Sequence, residues 1–151
     1  MKNCTLVAIN AKYIHTNLAV RYLASYCKPH YPNIRHLEFS INDQLSNILR
    51  DVYHRDCSIY CFSCYIWNTD LVLKLCSSLK KLQPHAVILL GGPEVSYDAK
   101  ELLAKEDSID FIIRGEGEET LLELLEKLNE SNPDLGTVRG LTYRAEGLVF
   151  E

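Results

Sequence analysis

Apolar and polar positions alternate along the chain in blocks that predict strands and helices in turn. Short apolar or alternating segments, bounded by loop residues, predict β-strands at residues 4–9, 34–39, 59–66, 86–90 and 109–113. Apolar residues at helical spacing predict α-helices at residues 18–27, 45–52, 69–83, 96–105 and 121–128. We expect Asp43 to cap the second helix and Asn68 or Thr69 to cap the third.

Regular alternation of strands and helices is typical of an α/β fold with a doubly wound parallel sheet. Five such units favour the flavodoxin-like or Rossmann-like strand order 2-1-3-4-5. Beyond Pro133 the pattern changes, and segments 138–143 and 148–150 around a turn at 145–147 predict a C-terminal β-hairpin extension. We therefore expect one domain at residues 1–132 and, at 133–151, a hairpin or linker leading to a further domain downstream.

Glycines follow the fourth and fifth predicted strands, in Gly91-Gly92-Pro93-Glu94 and in Gly115-Glu116-Gly117. The ligand crevice of an open α/β sheet lies outside the carboxyl ends of its strands, and glycine lets the backbone approach a ligand closely. A Gly-Gly-Pro turn is also an ordinary strand-to-helix connection, so the prediction of a site depends on both loops meeting at one edge. The glutamates of the second loop would repel a phosphate, which favours a neutral, amide-bearing ligand or a protein partner.

Composition limits the classes of function. The chain has 151 residues, of which 47% are hydrophobic and 24% charged, as in a single globular domain. A net charge of −4 without a basic stripe argues against a nucleic-acid partner. No apolar run is long enough to cross a membrane, and no secretion signal begins the sequence, so we expect no membrane partner and a cytoplasmic location.

Cysteines at Cys57-x-x-x-Cys61-x-x-Cys64 have the spacing with which radical S-adenosylmethionine (SAM) enzymes hold a four-iron cluster. Three thiolates must converge for that purpose, usually from a loop. Here the motif runs into a predicted strand, whose period of two would put Cys57 and Cys61 on one face and Cys64 on the other. Buried free thiols are therefore favoured, and an iron-sulfur protein is the alternative.

His15 lies in the loop after the first predicted strand. A neutral imidazole there could ligate a metal, or it could cap the next helix or hydrogen-bond a loop carbonyl. The sequence leaves these roles open.

Together, these strand ends resemble the N-terminal cobalamin (vitamin B12)-binding domain of cobalamin-dependent radical SAM enzymes. The resemblance covers roughly residues 4–130 and lies in His15, Ser63-Cys64-Tyr65, Gly91-Gly92-Pro93-Glu94 and the loop at 114–120. It implies that cobalamin is bound by His15, Ser63, Tyr65, Gly91, Gly92, Pro93, Glu94, Gly115, Glu116 and Gly117.

The same resemblance implies a partner, the protein's own downstream radical SAM domain, which would carry SAM and a 4Fe-4S cluster and would often transfer a methyl group. This segment alone would then catalyse nothing. Cobalamin mutases and methionine synthase have an Asp-x-His-x-x-Gly motif after the first strand, whose histidine coordinates cobalt. The aspartate and the glycine of that motif are missing around His15. The resemblance therefore leaves two possibilities open, a cobalt ligated by His15 and a cobalt without a protein ligand.

The alternative function is a non-catalytic interaction domain that keeps the fold without cobalamin. A crevice plugged by Tyr65, Trp67 or Tyr97 would favour that alternative, and an open apolar slot would favour cobalamin.

Overall fold

Strands and helices alternate as the sequence predicts. The computed structural model describes residues 1–12 and 16–151. The strands are β1 (Cys4–Asn10), β2 (Ile34–Ser40), β3 (Ile59–Ser63), β4 (Val87–Gly91), β5 (Phe111–Ile113), β6 (Leu141–Ala145) and β7 (Leu148–Phe150). The helices are α1 (Leu18–Cys27), α2 (Leu45–Tyr53), α3 (Thr69–Leu82), α4 (Pro93–Ser96), α5 (Ala99–Lys105) and α6 (Glu118–Lys127), with a 3-10 turn at Leu135–Thr137.

The seven strands of the described residues form one sheet in the order β2-β1-β3-β4-β5-β6-β7. The first five are parallel in the predicted order 2-1-3-4-5, which confirms the fold class. The predicted hairpin is present, and β6 pairs antiparallel with β5, with Phe111 opposite Tyr143. The hairpin thus extends the sheet beyond the parallel strands, a pairing that the sequence pattern does not predict.

Helices cover both faces of the sheet, and each face has its own hydrophobic core. Residues of α2, α3 and α5 pack on one face with Val7, Phe62 and Leu90. Residues of α1 and α6 pack on the other face with Leu6 and Leu89. Every residue of β1 is buried, as expected for a central parallel strand. Among the described residues, no helix combines the length and apolarity that a membrane span needs.

Several predicted boundaries and caps are wrong in detail. The N-cap of α2 is Gln44, because the Asp43 carboxylate instead accepts the Ser40 N–H at 2.8 Å. The third strand ends at Ser63 rather than at residue 66, since the chain turns there into α3. The helix predicted at 96–105 is two helices, α4 and α5, and the first begins three residues earlier with a proline at its first position.

Asn68 is the N-cap residue of α3, but its side chain does not cap the helix. Its amide instead donates to the carbonyls of Ile9 and Ser63, each at 3.0 Å, and its oxygen accepts the Tyr65 N–H at 2.8 Å. Asn68 therefore holds the loop after β3 against the carboxyl end of β1, at the edge where the candidate site lies.

The cysteine faces are also predicted incorrectly. Cys57 and Cys64 belong to the core beneath α2 and α3, whereas Cys61 packs against the core of the other face. The period of two fails because β3 includes only the middle cysteine, and Cys57 and Cys64 lie outside the strand. Because Cys61 lies on the opposite face of the sheet from Cys57 and Cys64, the three thiols do not converge as a four-iron cluster requires.

Candidate functional site

The loops after β3 and β4 touch through their backbones. Gly91 O accepts the Cys64 N–H at 2.7 Å, and Gly92 follows with φ +108° and ψ 171°. A Cβ atom at Gly92 would lie 2.4 Å from Cys64 O, which is too short for any side chain. Glycine is needed here for the packing of the two loops, independently of any ligand.

A cavity of about 630 Å³ lies beside these loops, between the sheet and helices α1 and α6. Its walls are mainly core side chains of that face, namely Leu6, Val20, Leu89, Ile113 and Leu121. Its rim is formed by the loops that follow β3, β4 and β5. The cavity therefore has an apolar interior and opens at the carboxyl edge of the parallel strands, where α/β sheets bind their ligands.

Most of the residues predicted from the sequence meet around this cavity, which is lined by Ser63, Tyr65, Gly91, Gly92, Pro93, Gly115, Glu116 and Gly117. Glu94 is exposed on α4 and is not among the described lining residues. His15 lies outside the described residues. Contact of any of these residues with a cofactor stays a prediction.

Gly117 brings the backbone at the start of α6 close to the cavity wall. A Cβ atom at this position would lie 3.4 Å from Ile113 Cγ2 and 3.7 Å from Leu23 Cδ2, both of which line the cavity. At Gly91 the nearest atom to an added Cβ is Ile113 O at 3.9 Å. Glycine at Gly117 and Gly91 thus preserves space that a side chain would occupy.

The polar groups of the cavity are neutral or acidic. Glu116 and Glu118 are the charged side chains among the described lining residues. Gly117 is the N-cap residue of α6 and has no side chain, so it offers no side-chain acceptor to the first amides of that helix. Burial, together with the Cys4 sulfur 3.7 Å away, raises the pKa of the lining thiol Cys61 and keeps it uncharged. This lining suits a large neutral ligand with amide groups better than it suits a phosphate.

Aromatic residues at the rim leave the cavity open. Tyr65 and Trp67 stack with ring centroids 4.5 Å apart, and the Trp67 indole N–H donates to Ile9 O at 3.2 Å. Tyr97 is 92% exposed and extends into solvent. The plug expected of an interaction domain without a ligand is therefore not formed by these side chains, and that alternative is not favoured.

The apolar residues of α1 and α6 and the single residue Ser96 line the cavity but are not predicted as site residues from the sequence. The apolar residues of α1 and α6 are indistinguishable in sequence from ordinary core positions, because the same helical spacing predicts both. Ser96 was missed as well, although its place four residues after Gly92 at the start of a helix was a usable signal.

The structure is an α/β domain with an open cavity at the carboxyl edge of its parallel strands, the edge at which such sheets bind ligands. The family model described as the B12 binding domain matches residues 4–125, which is most of the chain. The chain therefore belongs to the B12-binding domain family.

Curated relatives resemble the chain over part of its length. An anaerobic magnesium-protoporphyrin IX monomethyl ester cyclase of Synechocystis is 37% identical over 81 residues, covering 54% of this chain and 16% of the relative. The cobalamin-dependent radical SAM methyltransferase TokK of Streptomyces tokunonensis is 30% identical over 86 residues, covering 57% and 13%. A hopanoid C-3 methylase of Methylococcus capsulatus is 32% identical over 98 residues, covering 64% and 19%. The matched segments thus span less than a fifth of these relatives.

The fold also resembles a solved structure of the cobalamin-dependent SAM radical enzyme OxsB with aqua-cobalamin and SAM bound. The TM-score is 0.81 at 19% sequence identity, and the match covers 99% of this chain and 22% of OxsB. This structural similarity supports the assignment of the fold.

Proposed function

We propose that this chain holds cobalamin for a radical SAM enzyme of the methyltransferase class. The observation that carries the proposal is the open apolar cavity rimmed by two glycine loops in a member of the B12-binding domain family. When bound, cobalamin supplies a cobalt centre that can carry a transferable methyl group.

The apolar interior fits the benzimidazole end of cobalamin's nucleotide arm, which is flat and uncharged. The ring would enter between the sheet and helices α1 and α6, against Leu6, Leu89 and Leu121. Gly91 and Gly117 would allow the arm to lie against the backbone. The chain's share of the function is to bind, to orient and to exclude water from the buried arm.

The rim would hold the outer part of the cofactor. Ser63 ends β3 and Tyr65 follows it, whereas Gly115 and Glu116 follow β5, so these four lining residues border the cavity from two sides. Pro93 and Glu94 begin α4, and we place them at the outer margin of this mouth. Ligation of cobalt by His15 remains a proposal, tested by the visible spectrum of a His15→Ala variant: an unchanged spectrum would exclude it.

A full-length enzyme would add what this chain does not provide. We propose that residues 133–151 lead from the domain at 1–132 into a downstream radical SAM domain, which would supply SAM and a 4Fe-4S cluster. This segment contains β6 and β7, which belong to the same sheet as the parallel strands, so the chain would pass to the next domain from an edge of that sheet. We also propose a cytoplasmic location.

Binding of hydroxocobalamin tests the proposal directly. The chain is incubated anaerobically with the cofactor at tens of micromolar and passed through gel filtration, and the visible spectrum of the protein peak is recorded. We expect retained chromophore at about one per chain. A colourless protein peak would contradict the proposal and would favour the interaction domain.

A pair of tryptophan variants on α1 locates the site. Ala19 lines the cavity but is exposed, so Ala19→Trp should fill the mouth of the cavity without disturbing the core. Ser25 is exposed on the same helix away from the described lining, and Ser25→Trp is its matched control. We expect Ala19→Trp to abolish binding and Ser25→Trp to leave it unchanged. Equal binding by both variants would show that cobalamin lies elsewhere.

A further inference from the structure

Ser96 connects the two glycine loops through its hydroxyl group. The Ser96 O–H donates to Gly92 O at 2.7 Å, and the Ser96 oxygen accepts the Gly115 N–H at 3.2 Å. Gly92 belongs to the loop after β4 and Gly115 to the loop after β5, so one side chain bonds to the backbone of both. Ser96 also lines the cavity that the two loops border.

The loop after β5 is held at two consecutive amides. The Arg114 N–H donates to Gly140 O at 2.8 Å, which fixes this end of β5 to the chain leading into β6. The next amide, that of Gly115, turns the other way and donates to Ser96. Gly115 has φ +69°, and an added Cβ would meet no atom within 4 Å, so packing does not fix its position. Among the described residues, the hydrogen bond from Gly115 to Ser96 is therefore the contact that orients the turn at Gly115 toward the loop after β4.

The two hydrogen bonds of Ser96 form a chain that runs in one direction, from the Gly115 amide to the Gly92 carbonyl. The amide of Gly115 donates to the hydroxyl, and the hydroxyl donates to the carbonyl of Gly92, so each bond polarises the next. A serine hydroxyl bonded to the carbonyl four residues earlier is a common helix geometry, which leaves its lone pairs free to accept. An alanine at this position would remove both hydrogen bonds at once and with them the side-chain link between the two loops.

We infer that Ser96 is a positioning residue that sets the spacing of the Gly92 and Gly115 loops for the ligand of the cavity. The inference rests on the proposed function, since it assigns the ligand as the nucleotide arm of cobalamin. Ser96 acts through the two glycine loops and need not touch the cofactor itself.

The test uses Ser96→Ala, Ser96→Thr and the control Ser46→Ala, which replaces an exposed serine on α2. We expect Ser96→Ala to weaken hydroxocobalamin binding roughly tenfold, as for the loss of one or two modest hydrogen bonds. Threonine keeps the hydroxyl and its bond to the preceding turn, so Ser96→Thr should bind within about twofold of the unmodified chain. Ser46→Ala should bind as the unmodified chain does.

A second measurement needs no cofactor. Hydrogen exchange of the Gly115 amide, followed by NMR in the chain without cobalamin, should be faster in Ser96→Ala and unchanged in Ser96→Thr and Ser46→Ala. Unchanged Gly115 exchange in Ser96→Ala would overturn the inference, whatever the cofactor does.

The outcomes separate the two proposals. If the unmodified chain binds no cobalamin, the proposed function fails, and the exchange experiment still tests whether Ser96 orders the Gly115 loop. If the unmodified chain binds cobalamin and Ser96→Ala binds equally well, the proposed function stands and the role of Ser96 is refuted. A loss of binding in Ser96→Ala that matches a loss of thermal stability, with no rescue by threonine, would also refute positioning because the role would be structural.

Discussion

Replacing Gly92 by alanine should damage the fold, whereas the same change at Gly91 should not. Gly92 has φ +108° and ψ 171°, a region of backbone conformation that is essentially restricted to glycine and costs other residues about 1–3 kcal/mol. The added Cβ would also lie 2.4 Å from Cys64 O, in a loop held by the Cys64–Gly91 hydrogen bond, and such overpacking costs about 1–3 kcal/mol more. We expect Gly92→Ala to lower the free energy of unfolding by about 4 kcal/mol.

The matched variant Gly91→Ala isolates this effect. Its Cβ would have Ile113 O at 3.9 Å as its nearest neighbour, an ordinary van der Waals distance. We expect a change in unfolding free energy of less than about 1 kcal/mol, together with weaker cobalamin binding because the new methyl group occupies space at the cavity.

Thermal unfolding followed by circular dichroism distinguishes the two variants. At about 2–4 °C per kcal/mol for a chain of this size, Gly92→Ala should melt roughly 8–16 °C lower than the unmodified chain. Urea titrations at 25 °C give the free energies directly. If both variants melt within a degree of each other, the contact between Gly92 and Cys64 is not the constraint described above.

Three further predictions concern stability. Thr142 Oγ1 is buried without a described hydrogen-bond partner, so Thr142→Val should raise the unfolding free energy by about 1 kcal/mol in urea titrations, and a loss of stability would reveal a missed partner. Burial raises the pKa of the Cys27 and Cys64 thiols from 9.0 to about 12 each, so the folded state keeps protons that the unfolded chain loses. The contribution of these two thiols to stability should therefore be constant below pH 9 and should fall above it, by at most about 1.4 kcal/mol per pH unit for each thiol, and a Cys27→Ala, Cys64→Ala variant should show a flatter alkaline slope. The Lys80 ammonium donates to Asp110 Oδ2 at 2.7 Å, and Lys80→Met should cost about 1 kcal/mol at low salt and less in 1 M NaCl, whereas a salt-independent loss would indicate packing by the lysine stem.

Much of the fold could be predicted because its signals are local. Buried strands such as β1 and β4 are apolar runs bounded by turn residues, and the helices between them have apolar residues at helical spacing. Boundaries were less predictable, because they depend on competition for hydrogen bonds. Asp43 could have capped α2 but bonds to Ser40, and Asn68 bonds to two strand ends instead of capping α3.

The candidate site was predictable only in part. The glycine loops after β4 and β5 are visible in the sequence, and the parallel order of the strands places them at one edge. Leu6, Val20 and Leu121 line the cavity, yet nothing in their spacing separates them from residues that fill a core. Ser96 gains its role from a contact with Gly115, nineteen residues away in the chain.

The strands, the helices and the two glycine loops are predictable from the sequence, because local periodicity and backbone chemistry specify them. The parallel order follows from the general rules for chains in which strands and helices alternate. Three features depend on how distant segments pack: the cavity between the sheet and helices α1 and α6, the need for glycine at Gly92 beside the Cys64 backbone, and the separation of Cys61 from the core that holds Cys57 and Cys64. The physical reason is that empty space, close backbone approach and the direction of a side chain outside a strand depend on distances between segments far apart in the chain.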